Sequence, residues 1–436
     1  MKNFLLILLF VLLLSQNVFA ADETQKDSIL NIYSSRNEEG ISKGNKKPGW
    51  FFADARAAAT DNQVNDKQIL NIYSSRKEEF LTDLLKVFSE QNNVKINTIN
   101  DHDSQKLLEK LKSAKSSGIS NPKIDADILI TADVVSMINA QNNNLLQKSN
   151  CDLYKGIKPF FLNNESISNE CFWSAISFRA RVIAYSKTRV ADKAELNDLQ
   201  DYLDLARFDN KTKQYRWLER IIFTPISSPY NQFLIAYLIT LHNDDIVDKW
   251  LYKLMEYTKY SNPQGSDTEK LKSIMSGKGD VAMVNSYYYF RMLLPNGVKD
   301  ESFDSKVGII FPNQDLRGIA VDSKDQRIRN EYRLNGDVER HLEKGTSINF
   351  SAIGVVKDAP HSEMAEKFIQ FLLSSQAQEM IAKSNYEYSV TLHDLNNKLN
   401  SNVQSEEVKF DMETKLTDVA KNIQTAIKLA EKNGWN

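Results

Sequence analysis

Ile69-Leu70-Asn71-Ile72-Tyr73-Ser74-Ser75-Arg76 decides how this chain is read. Apolar and aromatic residues fill its first part, and a serine turn ends it, which is the signature of a strand. The next residues keep a different period. Phe80, Leu81, Leu84, Leu85 and Phe88 fall on one face of a helix. Val94 to Ile99 is again a strand, a helix carries Leu107, Leu108 and Leu111, and Ala126 to Thr131 is a buried strand. This β-α-β-α-β order predicts a parallel sheet with right-handed crossovers. Farther on, Phe178 to Tyr185 forms a strand that leads into a second αβ series. Val307 to Phe311 and Ile353 to Val356 are expected to return to the first lobe, and Met364 to Ile381 to form one amphipathic helix.

The opening strand has a twin. Ile29 to Arg36 repeats Ile69 to Arg76 residue for residue, forty positions earlier. Nothing else recurs, so this is a local duplication and not a solenoid. The first copy runs into Gly40-Ile41-Ser42-Lys43-Gly44, which cannot continue as the helix the second copy enters. The second copy is therefore taken as the true first strand, and residues 21–68 as a mobile extension. The rival assignment puts the first copy in the sheet.

Lys2, the apolar run Phe4 to Leu14, and Val18-Phe19-Ala20 read as a secretory signal over residues 1–20. The run is short for a membrane span, a retained anchor being the alternative. No other long apolar stretch follows. Cys151 and Cys171 are the only cysteines, and an even pair in an exported chain suggests one disulfide, with two buried thiols as the alternative. The formal charge is −2, and loss of Lys2 with the signal leaves −2 − 1 = −3. That near balance argues against nucleic acid and against an anionic membrane surface as partners.

Tyr287, Tyr288 and Tyr289 stand together behind Gly279-Asp280-Val281-Ala282-Met283-Val284-Asn285-Ser286, where a buried strand ends. Open α/β sheets present ligand groups at such ends. Packing alone could be served by Phe or Leu. A phenolate oxygen is a hard anionic donor suited to a hard, highly charged cation. A phenol titrates near pH 10, and a trivalent cation strongly favours its ionised form. The plain alternative is an aromatic strand end that only packs. His102, His242, His341, His361 and His393 are scattered, with no H-x-x-x-H or H-E-x-x-H spacing. His102 between Asp101 and Asp103 reads as a solvated cluster. No G-x-S-x-G, P-loop or G-x-G-x-x-G pattern occurs.

Four segments carry the functional signal together: Tyr73 to Arg76, Ser227-Ser228-Pro229-Tyr230-Asn231-Gln232, Asn262-Pro263-Gln264-Gly265-Ser266-Asp267, and the tyrosine triplet. With Phe178 to Ile183, Phe311 to Gln314, Gly345 to Asn349, Phe371 to Ser374, Gln376 to Gln378 and Glu387-Tyr388, the chain resembles the ferric-iron-binding periplasmic proteins of ABC transporters, over about residues 69–400. The resemblance implies an α/β, two-lobed, type II periplasmic binding protein. Each lobe would be a mixed or mostly parallel sheet flanked by helices, with a hinge between lobes. Residues 69–178 and 305–400 would form lobe 1, residues 179–304 lobe 2, residues 318–344 a loop inserted in lobe 1, and residues 401–436 a C-terminal helical segment.

The resemblance places metal-ligating phenolates at Tyr230, Tyr287 and Tyr288. Tyr289 falls where the family often has an apolar residue. Where the family commonly supplies a His and a Tyr, this chain has Lys77 and Glu78. A protonated Lys repels a cation, whereas Glu78 could supply a carboxylate as fourth ligand. Arg76 and Arg179 are candidates to orient a ligand or hold an anion, and Ser227 and Ser228 to form an anion-accepting turn. The implied cargo is Fe(III), alone or with a synergistic anion. A periplasmic monomer would pass it to an inner-membrane ABC permease without covalent chemistry. The alternatives are a drifted receptor for an anion or metal–chelate complex, and an exported enzyme on the same scaffold.

Overall fold

In the computed structural model the described residues are 68–116, 125–162, 170–190, 196, 199–206, 208–209, 214–257, 265–314, 344–404 and 407–436. The signal, the first repeat copy and nearly all of the 318–344 insertion lie outside them. The first strand is β1 (Gln68–Ser74), followed by a 3-10 turn at Glu78–Phe80. Then come α1 (Thr82–Asn92), β2 (Val94–Asn100), α2 (Ser104–Ser116), β3 (Ile128–Thr131), α3 (Val134–Asn142) and β4 (Trp173–Ser186). Two short strands, β5 (Phe208–Asp209) and β6 (Gln214–Tyr215), pair apart from the main sheet. The middle of the chain supplies β7 (Ile221–Ile222), α4 (Pro229–His242), α5 (Asp244–Tyr257), α6 (Asp267–Met275), β8 (Val281–Asn285) and α7 (Ser286–Leu293). The rest comprises α8 (Glu301–Asp304), β9 (Val307–Ile310), β10 (Ile348–Val355), α9 (Ser362–Leu373), α10 (Ser375–Met380), α11 (His393–Asn400) and α12 (Leu416–Lys432).

The strands run in the order β2-β1-β3-β10-β4-β8-β7, with β9 also on β4. β1 is parallel to β2 and β3, as the β-α-β-α-β reading requires. β3 is buried at every position because strands cover both its edges and helices its faces. Asp127 ties this end of the sheet together. Its fully buried carboxylate accepts from the Asn71 amide at 2.7 Å and the His361 amide at 2.7 Å, joining β1 to the start of α9.

β4 is the strand on which the two groups of strands meet. Residues 173–180 pair antiparallel with β10, residues 181–185 with β8, and residues 183–186 with β9. Val307–Ile310 was expected among the first lobe's strands; it pairs with the far half of β4, on the edge opposite β8. The apolar pattern identified a buried strand there and could not say which neighbour it would meet. The Met364 to Ile381 stretch is also two helices. Ser374 is extended (φ −67, ψ 154), and its hydroxyl accepts from the Ala377 amide to start α10. The side chain of Gln378, fully buried just beyond, donates to the Ile176 and Leu372 carbonyls, which fixes the break. The expected C-terminal helical segment holds α12 (Leu416–Lys432), which packs along α4, with Trp435 donating to the Thr224 carbonyl at 2.9 Å.

Cys151 and Cys171 are joined, with Cα atoms 5.2 Å apart and a sequence separation of 20. Closing a loop of this size removes unfolded-state entropy of about 3 kcal/mol. Cys151→Ser with Cys171→Ser should lower unfolding free energy by about that amount. Denaturant melts of the oxidised protein and the double variant check it, and equal midpoints would refute the assignment.

Candidate metal centre

Two helix starts deliver the tyrosines. β8 is wholly buried and turns directly into α7, so Tyr287 and Tyr288 are that helix's second and third residues. Tyr230 is the second residue of α4, behind Pro229, whose fixed φ suits the first helical position. Helix N-termini carry partial positive charge and favour anions nearby. The Tyr287 and Tyr288 rings lie 4.1 Å apart, and their hydroxyls hydrogen-bond each other. Tyr230 is close enough to act on both electrostatically. Tyr289 is turned roughly 100° round the helix. It packs on Phe303 at 5.3 Å and donates to the Val307 carbonyl at 3.4 Å, inside the core.

Burial pushes the Tyr288 phenol up to about 12 and Tyr287 well above its ordinary range. The charge that Tyr230 would carry pushes both the same way, and Arg179 opposes it. Both groups are therefore neutral phenols at neutral pH unless a cation joins them.

The opposing charge comes from β4. Arg179 and Arg181 are two residues apart, hence on one face of the strand. The Arg179 guanidinium lies 4.9 Å from the centre of the Tyr230 ring and donates to the Ala132 carbonyl. Arg181 meets Asp267 at 3.1 Å and Asn231 at 2.7 Å. Asp267 also accepts from the Asn285 amide at 2.8 Å and binds Lys270 at 2.7 Å. Burial alone would raise the Asp267 carboxyl, but Lys270 and Arg181 more than offset it and hold it below the usual range. Burial lowers Lys270 to about 8 against the pull of Asp267. Asp267 thus fixes both Arg181 and the last residue of the strand that carries the tyrosines.

Arg179, Arg181, Tyr230, Asn285, Ser347 and Asn349, with Phe233 and Leu234, line a small pocket of about 10 Å³, roughly the space of one water-sized group. Arg179 Nε, Arg181 Nε, Ser347 Oγ and Asn349 Nδ2 are buried there without a hydrogen-bond partner among the described residues. Such a set of donors suits a small anion. Among the described residues no three His, Cys, Asp or Glu side chains converge to hold a metal. The Tyr287 and Tyr288 phenols do lie together, with ring centres 4.1 Å apart.

The other candidates are more dispersed. Arg76 is buried and paired with Glu387, and it donates to Ser177 at 2.8 Å. Glu78 is exposed in the 3-10 turn, and Lys77 beside it holds its ammonium 5.8 Å from the centre of the Tyr288 ring. Ser227 is exposed, and Ser228 starts α4 through its carbonyl, which accepts from Asn231 and Gln232. Arg181, Asp267, Asn285, Ser347 and Asn349 lie in segments quoted from sequence, but none was given a site role there. Strand alternation from Arg179 was the available signal for Arg181. Nothing local marks Asp267 as its partner, 86 residues away.

The bacterial extracellular solute-binding protein model matches residues 83–421. The chain belongs to this family. This solute-binding protein is 30% identical over 354 residues to iron uptake protein A1 of Synechocystis sp., covering 81% of this chain and 83% of that one. Its fold matches a ferric binding protein from Campylobacter jejuni (TM-score 0.65, 26% identity). It also matches a Trichodesmium protein in complex with iron and citrate ligands (TM-score 0.64, 31% identity). Each match covers 84% of this chain and 100% of the other. The two-lobed α/β fold expected from sequence is the one these structures share.

Two outcomes follow from the buried charges. Asp267→Ala leaves Arg181 and Lys270 without their carboxylate and should cost about 3–5 kcal/mol in a denaturant melt; a loss under 1 kcal/mol would contradict the network. The Tyr288 phenol rises on folding, so its contribution to stability is complete below about pH 10. It fades as pH climbs towards about 12. Alkaline melts of wild type and Tyr288→Phe should converge below pH 10 in slope and diverge above it.

Proposed function

We propose that this solute-binding protein captures Fe(III) through the phenolates of Tyr230, Tyr287 and Tyr288 and releases it to an inner-membrane ABC permease. The observation that carries the proposal is the gathering of three phenols at two helix starts, beside a guanidinium that has no carboxylate of its own among the described residues. Three phenolates balance a trivalent cation. The helix ends and Arg179 lower the cost of ionising them. Glu78 is a candidate fourth ligand, reached by a swing of its exposed turn. The cavity donors Arg179, Arg181, Ser347 and Asn349 would hold a small anion that completes the metal's shell, in preference to the Ser227–Ser228 turn or Arg76. The names of the relatives point the same way: an iron uptake protein, a ferric binding protein, and a complex with iron and citrate.

In this reading the protein does no covalent chemistry. Residues 1–20 export it to the periplasm, where it acts as a monomer. Among the described residues no helix is long and apolar enough to cross a membrane. The lobes would be residues 69–178 with the β10 to α11 region, and residues 179–304, hinged at β4. Each phenol gives up its proton as the metal binds, so affinity falls in acid.

Loading with excess Fe(III) at neutral pH should give a visible phenolate-to-iron charge-transfer band and release protons into a weak buffer. Tyr287→Phe and Tyr288→Phe should each weaken the band and lower affinity at least tenfold. A wild type that stays colourless would refute the proposal. A second reading, a metal–chelate cargo, is favoured by the Lys77 ammonium over Tyr288. Native mass spectrometry of the loaded protein separates the two by the mass retained with the iron.

A further inference from the structure

We infer that the turn Lys77–Phe80 is a clasp over the tyrosine pair, held shut by contacts between protein groups before any cargo is bound. This rests on Tyr287 and Tyr288 being ligands. The turn follows β1, whereas the tyrosines follow β8, and β3, β10 and β4 lie between those strands in the sheet. The two strands are not neighbours in the sheet, and side chains join their ends directly. The Phe80 ring meets Tyr287 edge-on at 5.7 Å. It is flanked by two guanidiniums, Arg76 at 5.4 Å from its own side and Arg291 of α7 at 5.2 Å from the other. Arg291 then pairs with Glu79 at 3.0 Å. Lys77 covers Tyr288.

A second tie lies at the far end of α7. Tyr386 occupies the left-handed region (φ 56), which a bulky side chain rarely adopts. Its hydroxyl donates to the Leu294 carbonyl and accepts from the Gly297 amide at 3.2 Å. Its neighbour Asn385 donates to the Phe80 carbonyl at 3.2 Å, joining both ties.

The consequence concerns access. Tyr287 is only 2% exposed beneath Phe80, so a metal reaches its oxygen only when the clasp lifts. The side chains of Arg291 and Glu79 are 38% and 53% exposed. An ion pair so placed is weak, and it can open without unfolding anything. It sets how often the site opens, and with it the rates of loading and release. Glu79 and Arg291 are positioning residues here, since neither touches the cargo.

The test uses Glu79→Arg, Arg291→Glu and the two combined in the full mature chain. In the metal-free protein, hydrogen exchange of the α7 amides should quicken about fivefold in each single variant, the upper range for exposed pairs. The charge swap should restore it to within about twofold of wild type. In the iron-loaded protein, loss of the charge-transfer band to excess chelator should follow the same order. Should a reversal fail to fold, Glu79→Gln and Arg291→Gln serve in its place, with smaller but parallel changes. Unchanged exchange in the single variants, or a swap no better than either of them, overturns the clasp. If exchange behaves as stated while wild type takes no iron, the clasp stands and the iron reading falls.

Discussion

One buried carboxylate organises the site. Asp267 faces Arg181 and Lys270 in the interior and also accepts from the backbone and side chain of Asn285. A buried charge is tolerated only when paired and hydrogen-bonded. The requirement is mutual, so the start of α6, the middle of β4 and the end of β8 must come together for any of the three to be stable. The tyrosines are the next residues after that fixed point. Their position follows from a charge constraint in the strand behind them and not from contacts of their own.

Positive charge remains in excess around the phenols. Among the described residues Arg179, Arg181 and Lys270 are answered by Asp267 alone, and two helix N-termini add to the balance. Burial keeps the phenols protonated by itself, while this field works the other way. The result is a set of neutral phenols held well above their ordinary range, whose ionisation a cation must drive. A highly charged cation can tip them and a protonated environment can tip them back. Partly buried oxygens held in this state suit capture and release better than permanently charged carboxylates, which the interior would have to neutralise at all times.

The parallel pairing of the first three strands was legible because period and connection type determine it. β1, β2 and β3 alternate with helices that each show one apolar face, and a helical crossover brings the chain back to start the next strand in the same direction. The placement of β9 and the break at Ser374 were not legible. An apolar strand reads the same whichever neighbour it pairs with, and a serine inside an amphipathic run becomes a cap only when a buried Gln378 fixes the chain beyond it. At the site, Tyr287 and Tyr288 stood out as residue types that packing does not require, and Tyr230 came only from the family resemblance. Arg181, Ser347 and Asn349 did not stand out, because an arginine in a strand or a polar pair before one has many ordinary uses.

By itself the sequence determined the kind of fold and the tyrosine triplet as residues worth following, and it favoured the second repeat copy, which the structure places in the sheet. These depend on local period and on side-chain chemistry, both of which are written along the chain. Tertiary structure alone decided that Arg76 belongs to Glu387, that Asp267 answers Arg181, and that Phe80 and Glu79 reach across to α7. Those pairings join residues from 86 to more than 300 positions apart. Which charge meets which over such distances is fixed by how the sheet folds back on itself, because an ion pair has no sequence period.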